Sequence, residues 1–253
     1  MKKTSISLAL LALVSLMSAP SAQAGIFDFD PAKGGVYVSG FVGGGFPSDA
    51  SFNGEQAPEE GVPGTAGALA DIDAEIGSDA FYGASVGAKL PFKYWKYFQP
   101  RLEVEVSYLE NDVDGGSFNG GNQNFSGFQS TLFVTLNNYS DIIWDENQKI
   151  IPYFGGGIGA GVVDNGILYA PTTATSPTFG VIGENTGIAT ITSLGVTAKI
   201  TDRLDLYTEG RYYKIYGVDV ERRFIADGND GFSANVDDDP SGFTLTIGTR
   251  YNF

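Results

Sequence analysis

Phe243-Thr-Leu-Thr-Ile-Gly-Thr-Arg-Tyr-Asn-Phe253 decides how this chain is read. Its side chains alternate without a break. Phe243, Leu245, Ile247, Thr249, Tyr251 and Phe253 share one face, and Thr244, Thr246, Gly248, Arg250 and Asn252 share the other. Successive side chains of a strand point to opposite faces, so this is a strand with one apolar and one polar side. Its length is that of a tilted strand crossing a bilayer, ~9–11 residues. The expectation is a final stave of a transmembrane β-barrel.

The other end supports export. Met1-Lys2-Lys3 is basic, Ile6 to Leu16 is apolar, and Ala22-Gln23-Ala24 is a small-residue site before Gly25. That is the layout of a secretory signal peptide, with cleavage expected between Ala24 and Gly25. Residues 1–24 are read as the signal peptide and residues 25–253 as one barrel domain. The apolar run is too short for a spanning helix, which needs ~20 residues. No other stretch is apolar enough for one, so a membrane protein here must be a barrel, which pairs its backbone between strands.

Composition narrows the chemistry. Cysteine and histidine are both absent from the 253 residues, which removes disulfides, thiolates, imidazole bases and histidine metal sites. Cleavage would remove two of the 15 basic residues, leaving 13 against 30 acidic ones and a net charge of −17. Nucleic acid is excluded as a partner, because its affinity comes from basic side chains meeting phosphates. No cofactor is expected.

Seven further segments alternate in the same way. They are Gly35–Gly45, Ala80–Leu90, Arg101–Tyr108, Gly127–Asn138, Ile151–Val162, Gly187–Ile200 and Arg203–Tyr213. The third is clearest, with Leu102, Val104, Val106 and Tyr108 against Arg101, Glu103, Glu105 and Ser107. Short links (Pro91–Phe98, Tyr139–Lys149, Thr201–Asp202) alternate with long ones (Phe46–Asp79, Glu110–Ser126, Val163–Thr186, Lys214–Ser241). Short turns on one membrane side and long loops on the other describe an all-β, eight-stranded, antiparallel up-and-down transmembrane barrel. A soluble lipocalin-like barrel would turn its apolar face inward. Charges of both signs on the polar faces, and aromatics near strand ends such as Tyr94-Trp95-Lys96-Tyr97-Phe98, favour the membrane.

Arg101-Leu-Glu-Val-Glu-Val-Ser-Tyr108, Ile151-Pro-Tyr-Phe-Gly-Gly-Gly-Ile-Gly159 and the aromatic terminus resemble strand patterns of the small outer-membrane β-barrel superfamily. That superfamily includes OmpA-type, opacity-type and OmpW-type barrels of the porin family. The first motif, with Gly210-Arg-Tyr-Tyr-Lys214, is also similar to its surface-antigen branch. The resemblance implies a place in the bacterial cell outer membrane, among lipid and lipopolysaccharide. It also implies an assembly signal at Phe253 and Tyr251, read by the barrel-assembly machinery. Its members serve as porins, adhesins and structural proteins, so the resemblance speaks for architecture more than activity.

Two motifs are set aside. Gly83-Ala-Ser-Val-Gly87 fits the nucleophile elbow, but it lies in a strand and the chain has no histidine base. Gly155-Gly-Gly-Ile-Gly-Ala160 fits a dinucleotide loop, but no helix follows it. Inward glycines in a narrow barrel make room for bulky neighbours. The expected internal feature is a lumen charge network of Lys89, Arg101, Glu103, Glu105, Lys199, Asp205, Glu209, Arg211 and Arg250. Buried ions must pair or carry a large desolvation cost, so this set is read as a plug. A gated ion path is the alternative. The long links hold much of the acid, including Asp49, Glu55, Glu59, Glu60, Asp71, Asp73, Glu75 and Asp79. Solvated loops are expected there, with weak divalent cation binding as the alternative.

The functional expectation is a monomeric, non-enzymatic outer-membrane protein with a structural or surface-interaction role carried by four long acidic loops. A small ion or solute channel through the charged lumen is the alternative.

Overall fold

The computed structural model describes residues 35–145, 147–226 and 231–253. The expected signal peptide and its Ala24–Gly25 cleavage site lie outside those residues. Among the described residues there are twelve antiparallel strands rather than eight: β1 (Gly35–Pro47), β2 (Ala50–Gln56), β3 (Leu69–Ile76), β4 (Asp79–Lys89), β5 (Phe98–Phe118), β6 (Gly121–Ile142), β7 (Ile150–Pro171), β8 (Phe179–Lys199), β9 (Leu204–Tyr216), β10 (Val218–Phe224), β11 (Gly231–Asp238) and β12 (Ser241–Asn252).

The sheet closes on itself twice. β1 pairs with β4, then β5, β6, β7, β8, β9 and β12 follow in turn, and β12 pairs back to β1. At the end remote from Gly35 and Asn252, β5 to β8 run on beyond this circuit. Their outer halves join β10, β11, β2 and β3 into a second circuit, through the pairings β8–β10, β10–β11, β11–β2, β2–β3 and β3–β5. The segments expected as solvated loops are therefore largely strands.

The reason lies in their side chains. In Leu69-Ala-Asp-Ile-Asp-Ala-Glu-Ile76 the small and apolar residues Ala70, Ile72, Ala74 and Ile76 are buried, while Asp73 and Glu75 face water. Acid on the outer face is compatible with a strand whose other face has a core to fill. The β5–β6 hairpin turns through Asn119 and Gly120, both with positive φ (49° and 74°), the conformation that a two-residue primed turn demands. Asn119 also fastens the tip to β3. Its Oδ1 accepts from the Asp71 N–H at 2.9 Å, and its Nδ2 donates to the Leu69 carbonyl at 3.1 Å.

The two circuits differ outside. The first is belted by exposed apolar side chains, among them Val42, Val104, Leu136, Ile158, Leu194 and Leu245. Phe46, Tyr212 and Phe243 border the belt towards the distal end, and Trp95, Trp144, Tyr251 and Phe253 border it at the terminal end. From Phe243 to Phe253 a strand tilted by ~40° rises about 26 Å, close to the ~25 Å apolar band of outer-membrane barrels. Beyond the belt the outer face turns acidic, with Asp73, Glu75, Asp112, Asp114, Glu184 and Asp237 exposed.

Candidate functional site

Inside the first circuit the side chains form layers along the axis. Nearest the terminal end is a vestibule of about 720 Å³, whose lining includes Lys89, Gln99, Asp141, Lys149, Lys199, Asp205 and Asn252. Lys89 Nζ donates to Asn252 Oδ1 at 3.0 Å and pairs with Asp205 Oδ2 at 3.4 Å.

Above it the charges are continuous. Arg250 reaches Asp205 at 3.8 Å and Glu103 at 3.7 Å; Arg101 pairs with Glu103 and, at 3.2 Å, with Asp141. Arg101 and Arg250 are 1% and 2% exposed, so these are buried ion pairs. Glu103 also accepts from the Tyr37 hydroxyl at 2.6 Å and the Ser85 hydroxyl at 2.8 Å. Ser85 is thus a lumen residue tied to a carboxylate, with no nucleophile geometry. A second cluster follows, in which Arg211 Nη2 lies 2.9 Å from Glu105 Oε2 and 2.6 Å from Glu209 Oε1. Ser107 and Asn137 donate to the same Glu105 carboxylate at 2.9 and 3.3 Å. The paired lumen set is four cations (part-buried Lys89 and buried Arg101, Arg211 and Arg250) against five buried carboxylates (Glu103, Glu105, Asp141, Asp205, Glu209).

Eight of the nine residues expected from the sequence meet in this network. The exception is Lys199. It is exposed on the vestibule rim because β8 ends there, and it joins none of these buried ion pairs. Asp141 was missed, since Tyr139–Lys149 reads as a turn whereas β6 continues to Ile142. Arg250 pairs with Asp205, its direct partner on neighbouring β9, and with Glu103 across the lumen.

Aromatic rings hold the network in place. Tyr37 faces Gly87, Tyr139 faces Gly155, Tyr153 faces Gly195 and Tyr207 faces Gly248, each as direct cross-strand partners. A Cβ on any of these glycines would collide with the opposing ring. The glycine runs therefore create the space in which tyrosines lie flat over the sheet. The arginines stack on those rings, Arg101 over Tyr139 (4.4 Å) and Tyr153 (4.8 Å), and Arg250 over Tyr37 (4.8 Å) and Tyr207 (5.1 Å).

Past Arg211 the lumen turns mainly apolar, apart from a buried row of Asn111, Gln129 and Asn165 in which Gln129 Nε2 donates to Asn165 Oδ1 at 2.9 Å. Phe41 meets Phe81 at 5.5 Å, Phe81 meets Phe133 at 6.3 Å, and Phe133 meets Tyr213 at 5.2 Å between ring centres. The second circuit continues this with buried Phe52, Ile72, Ile167, Val181, Val220 and Val236. At its distal tip Arg222 is buried among Phe118, Tyr169 and Phe179. Burial pushes the Tyr169 phenol up to about 12, with the Arg222 cation opposing the shift. Among the described residues no three carboxylates gather in a way that could hold a metal ion.

No protein-family model matches the chain, and no curated protein sequence matches it. Solved structures of similar fold do exist. The outer membrane protein OprG from Pseudomonas aeruginosa is 17% identical, with 87% of this chain and 97% of that one covered and a TM-score of 0.50. The outer membrane protease OmpT from Escherichia coli is 8% identical, covering 86% and 97%, also with a TM-score of 0.50. The likeness is one of fold, and the fold is that of small outer-membrane β-barrel proteins.

Proposed function

We propose that this chain is an integral protein of the bacterial outer membrane, processed after Ala24, that crosses the bilayer with the eight strands of its first circuit. Its distal circuit stands outside the cell, and its role is structural or surface-interacting rather than enzymatic. One observation carries the reading: the side chains are sorted along the axis. An apolar belt lies outside, paired charges fill the inside of that belt, and an aromatic layer followed by a packed apolar core lies beyond them. Narrow barrels of eight strands are filled by side chains, and a filled interior serves scaffolding and display better than passage. The absence of histidine, together with Ser85 held to Glu103, weighs against hydrolysis.

The vestibule favours a second reading, a small ion or solute channel. Its path would have to run past Arg211 and between Phe41, Phe81 and Phe133, through groups that are already paired or packed.

Outer-membrane fractionation with heat-modifiable gel mobility tests the placement, combined with antibody labelling of an epitope inserted between Asn119 and Gly120. The expected result is an outer-membrane protein, shifted on boiling and labelled on intact cells. A soluble periplasmic protein with no shift on boiling would overturn it.

A further inference from the structure

Arg222 on β10 lies in the distal circuit's core, apart from the ion pairs of the barrel. It is 2% exposed, and among the described residues no carboxylate pairs with it. Its Nε donates to the Tyr169 hydroxyl and its Nη1 to Ser233 Oγ at 3.1 Å, whereas Nη2 has no hydrogen-bond partner among the described residues. Phe179 and Phe118 approach the guanidinium carbon at 3.9 and 4.5 Å from their ring centres. A buried ion normally finds a counter-ion, because desolvation without one is costly. Here rings and two hydroxyls stand in for it.

Topology puts this group at the outermost tip. Phe118 ends β5, Phe179 begins β8, Phe224 ends β10 and Phe125 lies near the start of β6. Phe118, Phe125 and Phe179 are only partly buried, so ring surface reaches solvent around the cation. Tyr169 stacks on Phe125 at 5.0 Å and on Phe179 at 5.8 Å, making a continuous aromatic floor.

We propose that Arg222 and these rings form a binding site for a carboxylate-bearing extracellular ligand with an apolar or ring-shaped body. Rings against the guanidinium leave its edge for the ligand, where Nη2 and the second Nη1 proton offer the parallel pair of donors that a planar carboxylate matches. A tetrahedral phosphate would thrust an oxygen out of that plane toward the rings. The chain's net charge of −15 repels polyanions, which selects a singly charged ligand. The body of the ligand lies on Phe118, Phe125 and Phe179.

The inference rests on the distal end facing the exterior. The test uses purified full-length protein refolded in detergent micelles, so its failure is read separately from failure of the membrane placement. Benzoate, phenylphosphonate and benzyl alcohol are titrated while the Arg222 Nε–Hε resonance is followed by NMR, with binding to the variants measured by equilibrium dialysis of labelled benzoate. Benzoate is expected to give a saturable shift. Loss of a charge-assisted contact in Arg222→Met should weaken it at least about tenfold. Arg222→Lys keeps the charge but not the fork, and should also weaken benzoate, with heat-modifiable mobility intact. No saturation at millimolar benzoate, equal binding of benzyl alcohol or phenylphosphonate, or unchanged affinity in Arg222→Lys would each overturn the proposal.

Discussion

Replacing Arg211 by methionine removes the cation that two buried carboxylates share. Nη2 lies 2.6 Å from Glu209 Oε1 and 2.9 Å from Glu105 Oε2, and Nε lies 3.1 Å from Glu209 Oε1. All three side chains are buried. Without Arg211, Glu105 keeps its bonds from Ser107 and Asn137, but two like charges face each other away from water. Removing one partner of a buried ion pair costs about 3–5 kcal/mol. Ser107 and Asn137 still hold Glu105, so the expected loss is at the lower end of that range, roughly 3 kcal/mol. Glu105→Gln leaves Arg211 paired with Glu209 and should cost less. The double variant should be more stable than the sum of the two losses by at least ~1 kcal/mol, the signature of contacting groups. Urea unfolding of the refolded protein in micelles reads all three values. A loss below ~1 kcal/mol for Arg211→Met, or strict additivity, would refute the claim that the paired lumen charges stabilise the barrel.

Asp238 offers a pH test outside the membrane belt. Burial, aided by the neighbouring Asp239 and Asp237 carboxylates, pushes it up to about 6 from 3.8. A raised carboxylate pKa favours the protonated folded state, so the distal circuit loses stability as pH climbs from about 4 to 6 and levels off above that. Asp238→Asn should slow amide exchange of β2 and β11 at pH 8, by on the order of 2–3 kcal/mol, and change nothing at pH 4. Exchange rates that respond equally at both pH values would contradict the assignment. Gly155→Val should block folding, because its side chain would collide with Tyr139 and the Asn138 carbonyl; adding Tyr139→Ala should restore only part of the yield in a refolding assay. Lys199→Ala should be silent in the same urea measurement, within ~0.5 kcal/mol, since its side chain is exposed.

Alternation made the first circuit legible, because each of its strands separates a lipid face from a lumen face and period two is then unbroken. Leu102, Val104, Arg101 and Glu103 stand on the sides their positions demand. The distal circuit was harder to read. Its outer face is acidic and its inner face uses small residues such as Ala50, Ala70 and Ala74, a pattern shared with solvated loops. Asn119-Gly120 was the available signal, since that dipeptide between alternating residues marks a tight hairpin. The ion pairs needed register, which one strand's pattern does not carry. The tyrosine–glycine partnerships likewise emerge only when two strands are aligned residue by residue.

The most direct test of a filled, non-conducting barrel is planar-bilayer recording of the refolded protein. Wild type is expected to show no steady conductance, and Arg211→Met is expected to stay silent because the Phe41, Phe81 and Phe133 layer lies beyond it. Steady single-channel conductance that changes with Glu209→Gln or Arg101→Ala would contradict the account and establish a path through the charged lumen.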